Sequence, residues 1–147
     1  AADLLLDDWG VAADVWSMTS SNELRRDGMA CERWNMLNPS EKPRVPYLTQ
    51  ALQKSGGPFI AATDYMKVYA DQLRPYIPGT YKVLGTDGFG RSDTRAKLRY
   101  FFEVNRYFVT VAALTALAEE GAVKAEVVGE ALVKYGISGD KPDPVTI

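Results

Sequence analysis

The run Tyr81 to Gly85 reads as a strand that empties into Thr86-Asp87-Gly88-Phe89-Gly90-Arg91-Ser92, where glycines bracket an aromatic side chain and an arginine and a hydroxyl follow. A glycine loop between a strand and a helix N-terminus gathers backbone N–H groups, and such a place binds phosphate and other anions. The order here is G-x-x-G-x-G rather than the dinucleotide fingerprint G-x-G-x-x-G, and no lysine follows as in a P-loop. Phe89, free to turn between two glycines, is expected to be buried, either in the core or at a subunit contact. Three readings of Asp87, Gly88, Phe89, Gly90, Arg91 and Ser92 stay open: a structural turn, which is preferred, a subunit contact, and a small-anion site.

Other residue types offer little chemistry. Asp64 and Asp87 each follow a predicted strand, and in a parallel sheet both would lie at the carboxyl edge, where ligands collect. Their plainer reading is as caps of helices or turns, and Asp64 is expected to cap the helix after it. Cys31, among Met29, Trp34 and Met36, reads as a buried, inert thiol. The chain has no histidine, which removes the commonest general base and metal ligand. Arg25, Arg26, Lys97 and Arg99 read as solvated helix faces, and no zinc spacing or nucleophile elbow is present. No catalytic, cofactor-binding or metal-binding constellation is therefore expected within the chain.

Composition narrows the class further. The 147 residues, 46% hydrophobic and 24% charged, fit one globular domain, read here as residues 1–137 with a tail over 138–147. A net charge of -2 gives no basic footprint for nucleic acid. Apolar runs fall short of the ~20 residues that span a bilayer, so no membrane association is expected. A single cysteine rules out an internal disulfide and suits a reducing compartment.

The elements that must carry the loop follow from periodicity and punctuation. Leu4, Leu5 and Trp9 share a helical face that Gly10 closes. This helix opens the chain without an initiator Met, which points to a piece of a longer polypeptide. Val11 to Thr19 alternates and reads as a strand. Ser20 and Glu23 have capping-box spacing ahead of a helix over Asn22–Met36, weakened by Gly28. A helix over Tyr47–Lys54, a buried strand over Phe59–Thr63 and a helix striped by Met66, Tyr69, Ala70 and Leu73 come next. After the strand Tyr81–Gly85, Ser92 or Asp93 is expected to cap a helix through Phe102, Asn105 one over Arg106–Glu120, and a last helix covers Val123–Tyr135. Trp9, Trp16, Trp34 and Tyr100-Phe101-Phe102 read mostly as core, with an interface open for one cluster. Strands alternating with helices through long connections predict a three-layer α/β/α domain with a mostly parallel sheet.

Longer strings carry a resemblance. Cys31-Glu32-Arg33-Trp34-Asn35-Met36-Leu37-Asn38-Pro39, Arg44-Val45-Pro46-Tyr47, Thr63-Asp64-Tyr65-Met66-Lys67 and the run Leu84 to Arg95 resemble, in order, the homodimeric bacterial-type decarboxylase components of pyruvate dehydrogenase complexes. The match is to their third, C-terminal domain, shared in fold with transketolase. It implies a parent that binds thiamine diphosphate and Mg²⁺ between its other domains, decarboxylates pyruvate in the cytoplasm and acetylates the lipoyl groups of a dihydrolipoyl acetyltransferase component. It implies a supporting role for this domain, against the other domains of its chain and the second subunit of a homodimer. No cofactor or catalytic residue of the family carries onto these positions. The family's domain begins with a strand ahead of the first helix, so that strand is expected to be missing here. Two rival readings remain: a stand-alone α/β module with a small anion at the Gly88 loop, and an adaptor for another complex component.

Overall fold

The computed structural model describes residues Ala1–Ile147. Seven helices, a 3-10 turn and two strands follow one another: α1 (Ala2–Trp9), α2 (Ser21–Leu37), α3 (Tyr47–Leu52), β1 (Phe59–Ala62), α4 (Lys67–Asp71), the turn Arg74–Tyr76, β2 (Tyr81–Leu84), α5 (Arg95–Phe101), α6 (Arg106–Glu119) and α7 (Ala125–Lys134).

Local chemistry sets most boundaries. Gly10 closes α1 in the left-handed region at φ 66, and its N–H caps the helix carbonyls. The Ser20 hydroxyl accepts the Glu23 N–H at 3.3 Å, as the capping spacing requires. Asn105 Oδ1 accepts the N–H groups of Tyr107 and Phe108 and starts α6. Gly28 lies inside α2 because nothing larger fits: a methyl there would stand 2.3 Å from the ring of buried Tyr76.

The strands pair in parallel, Phe59 opposite Tyr81 through Ala62 opposite Leu84. Side chains alternate across the sheet, and their partners show helices on both faces. Tyr81 points to α4, where its hydroxyl donates to the Ala70 carbonyl at 3.0 Å. Burial, reinforced by Asp71, pushes that phenol up to about 12. Lys82 points the other way and pairs with Glu119 at the end of α6, 2.6 Å away. Beyond α6, Leu5, Ala113, Leu114 and Ala131 form a core shared by α1, α6 and α7. The α/β class with a parallel sheet is observed.

Four expectations need correction. Val11–Thr19 is not a strand, since no backbone hydrogen bond ties residues 12–19 to another segment; a ladder needs a neighbour, and alternation alone cannot supply one. The sheet thus has two strands, not three. Asp64 does not cap the next helix; its carboxylate pairs with Arg99 at 2.9 Å, and the helix starts later, at Lys67. Neither Ser92 nor Asp93 caps α5: Thr94 is its N-cap, and the Asp93 carboxylate accepts the Thr94 N–H instead.

Residues 95–119 together are long and apolar enough to cross a bilayer by length and composition. The helix breaks between them, with Glu103 in the left-handed region at φ 61, and neither α5 nor α6 reaches the ~20 residues of a span.

Candidate functional site

The loops that leave the carboxyl ends of β1 and β2 pack on each other. The Thr86 N–H donates to the Tyr65 carbonyl at 2.9 Å, and the Thr86 hydroxyl to the Asp64 carbonyl at 3.1 Å. Gly85 makes this approach possible, because a methyl there would meet the Tyr65 oxygen at 2.7 Å and the Lys67 nitrogen at 2.8 Å. Asp87 then does what Asp64 was expected to do. Its Oδ1 accepts the Lys67 N–H at 2.9 Å and supplies the first turn of α4 with an acceptor from across the sheet.

The next residues leave the body of the domain. Gly88 has φ 99 and Gly90 borders open space. Phe89 between them is 80% exposed, so the expectation that it enters the core is overturned. The two glycines free its backbone, but the ring finds no apolar wall within the chain. Arg91 lays its guanidinium 4.8 Å from the centre of the Phe101 ring, and Ser92 is exposed. The six candidate residues thus divide: Asp87 is a structural cap, and Gly88–Ser92 project a single large apolar side chain.

The geometry is poor for an anion. Two of the donors at the start of α5 are engaged already, the Thr94 N–H by Asp93 and the Lys97 N–H by the Thr94 hydroxyl. The carbonyl of Pro144, from the chain's last residues, lies 2.6 Å from where a Gly88 methyl would be, closing the loop's inner side with an oxygen. A carbonyl oxygen on that side offers a phosphate no donor.

A second surface lies along the unpaired edge of β1. The amides of Phe59 and Thr63 bond to carbonyls of the β2 segment, so by the two-residue period those of Ile60 and Ala62 point away from it. That edge faces a groove of about 1050 Å³, bounded by Pro58–Thr63 on one side and by Val11–Ser20 on the other. Trp16, in the second wall, is 60% exposed, whereas Trp9 is half-buried beside Tyr135. Trp34 lies under the Arg44 guanidinium, at 4.2 Å.

Cys31 is buried, as expected, and burial, with Asp27 adding to it, pushes its thiol up, away from the reactive thiolate. No group of three or more Cys, Asp or Glu side chains converges as a metal site would. Sequence reasoning missed three residues around the loop. Arg99 holds Asp64, Lys141 enters the aromatic cluster of Tyr100, Phe101 and Phe108, and Pro144 is buried against Gly88. Each contact joins segments far apart in the chain, and no local spacing marks it.

Comparison with known proteins agrees with the fold. Residues 1–105 match a family model described as the transketolase-like TK C-terminal domain. The chain is 58% identical over 146 residues to the pyruvate dehydrogenase E1 component of Pseudomonas aeruginosa, covering 99% of this chain and 17% of the relative. The E1 component of Cupriavidus necator is 54% identical over 147 residues, covering 100% of the chain and 16% of the relative. That of Escherichia coli strain K12 is 53% identical over 145 residues, covering 98% and 16%. The chain therefore spans about a sixth of the length of the curated relatives it matches. With a parallel sheet flanked by helices and a family match over residues 1–105, this chain belongs to the transketolase-like C-terminal domain family.

Proposed function

We propose that the chain is the C-terminal domain of a pyruvate dehydrogenase (acetyl-transferring) component, a bacterial cytoplasmic enzyme that uses thiamine diphosphate and Mg²⁺. In it this domain supports assembly and performs no chemistry. The observation that carries the reading is identity of 58% and 54% to pyruvate dehydrogenase E1 components across 99% and 100% of the chain. The parent would decarboxylate pyruvate and pass the two-carbon unit to lipoyl groups of its acetyltransferase partner.

The residues at hand do not fit the cofactor. A diphosphate needs converging donors, and the inner side of the Gly88 loop is filled by the Pro144 carbonyl, an acceptor. Mg²⁺ needs clustered oxygen ligands, and no group of three acids converges. Thiamine diphosphate is therefore assigned to other parts of the parent, and no step of the reaction is routed through these residues.

Two surfaces support the structural role. Phe89 offers an apolar anchor to a neighbouring domain or to the second subunit of a homodimer. The groove beside β1 offers unpaired backbone groups and an apolar lining, the requirements for one more strand from the parent polypeptide. This is the place we assign to the first strand that the family resemblance implies.

The test is paired. The full-length parent, assayed with thiamine diphosphate and Mg²⁺, is expected to release carbon dioxide from pyruvate and to acetylate a lipoyl domain. Calorimetric titration of the 147 residues alone with thiamine diphosphate is expected to give no heat of binding. An inactive parent would overturn the activity, and micromolar binding by the isolated chain would overturn the division of labour.

A further inference from the structure

Residues 138–147 have no regular secondary structure, yet two contacts hold them to the domain. The first is Lys141. Its ammonium donates to the Phe101 carbonyl and to Glu103 Oε1, each at 2.9 Å, and lies at the edge of hydrogen-bond range, 3.5 Å, from the Pro142 carbonyl. The rings of Tyr100, Phe101 and Phe108 surround it with centroids 5.6–5.8 Å away, and the side chain is only 11% exposed. Glu103 meets it from a left-handed backbone at φ 61, a conformation unfavourable for a residue with a side chain. The corner between α5 and α6 thus holds strain where it presents a carbonyl and a carboxylate to one cation.

The second contact is Pro144, which is buried. Asp143 turns the chain there, its carboxylate accepting the Val145 N–H at 3.0 Å and its carbonyl the Thr146 N–H at 3.0 Å. The turn carries the Pro144 carbonyl over Gly88, into the space a side chain would take. Residues 88–92 form no backbone–backbone hydrogen bond of their own. What holds the middle of that loop is Pro144 on one side and the stacking of Arg91 on Phe101 on the other. Phe101 is also part of the Lys141 cage, so the Arg91 stack and the Lys141 cage share a ring.

We propose that residues 138–147 form a strap, pinned by Lys141, that fixes the course of the 85–93 loop and so the direction in which Phe89 projects. Without the pin, the strap lifts from Gly88 and the loop loses its inner support. The strap does not rest on the proposed activity, because it is read without substrate or cofactor.

Limited trypsin digestion of the full-length parent, followed by mass spectrometry, tests it. Arg91 lies in the loop, and Arg26 lies on α2 as an internal reference. In Lys141→Gln, and in a variant truncated after Ile137, nicking after Arg91 is expected to rise at least about tenfold while nicking after Arg26 stays unchanged, since cleavage follows local opening. Lys124→Gln, at an exposed lysine far from the cage, is the control and should leave both rates alone. Gly88→Ala gives the reciprocal reading: hydrogen exchange at the Thr146 amide should accelerate as the strap is pushed off. Arg91 nicking within twofold of the unmodified protein in both strap variants, or an equal rise at Arg26, overturns the proposal.

Discussion

Gly28 and Phe89 show how differently two residues can be read from sequence. Glycine inside a helix ordinarily weakens it by about 1 kcal/mol relative to alanine, so a local reading counts Gly28 against α2. The structure supplies the opposite reason, since the Tyr76 ring occupies the space a methyl would need. Gly28→Ala should therefore destabilise the domain by about 1–2 kcal/mol in denaturant melts, overpacking outweighing the gain in helix propensity. A stabilised variant would mean that the ring swings aside freely. For Phe89 the two flanking glycines were legible but its exposure was not, because burial depends on what stands opposite and no spacing encodes that. Phe89→Ala should change the stability of the isolated chain by less than about 0.5 kcal/mol. In the assembled parent the same change should cost on the order of 3 kcal/mol of subunit or domain association, measured by sedimentation. Equal small effects in both would remove the interface role.

Helices closed by their own neighbours were readable from local residues: Gly10 for α1, Ser20 for α2, Asn105 for α6. Elements closed by distant partners were not, as Asp87 on α4 shows. The contact that ties α1 to α7 belongs to this second kind. Lys134 Nζ donates to Asp8 Oδ1 and the Tyr135 hydroxyl to Asp8 Oδ2, each at 2.8 Å, while the Trp9 indole N–H donates to the Tyr135 oxygen. The bond from Lys134, then that from Tyr135, holds the Asp8 carboxyl below its ordinary range. A carboxyl lowered by folding contributes stability above its unfolded pKa, and that contribution fades as pH falls through the folded value. Asp8→Asn should thus melt at a lower temperature than the parent sequence near pH 6, and the gap should close as pH drops below about 4 toward 2. A gap independent of pH would assign the loss to shape rather than charge.

At the scale of the whole chain, two parallel strands are a thin centre for seven helices. The α/β class was legible from the alternation of elements, but the width of the sheet was not, because Val11–Thr19 has a strand's pattern and no neighbour to bond. An open edge beside an apolar groove favours association. The isolated chain should self-associate, with sedimentation broadening across a hundredfold range of concentration. A sharp monomer of high thermal stability would instead favour a stand-alone module.

Trp16 gives the same groove an optical consequence. The indole stands in water on the wall opposite β1, while Trp9 is bonded to Tyr135 and Trp34 is covered by Arg44. Of the three emitters, the one most open to solvent sits where a further strand would press. Its fluorescence is thus a built-in gauge of occupancy: red-shifted and readily quenched by iodide in the separate chain, blue-shifted and shielded once the groove is filled.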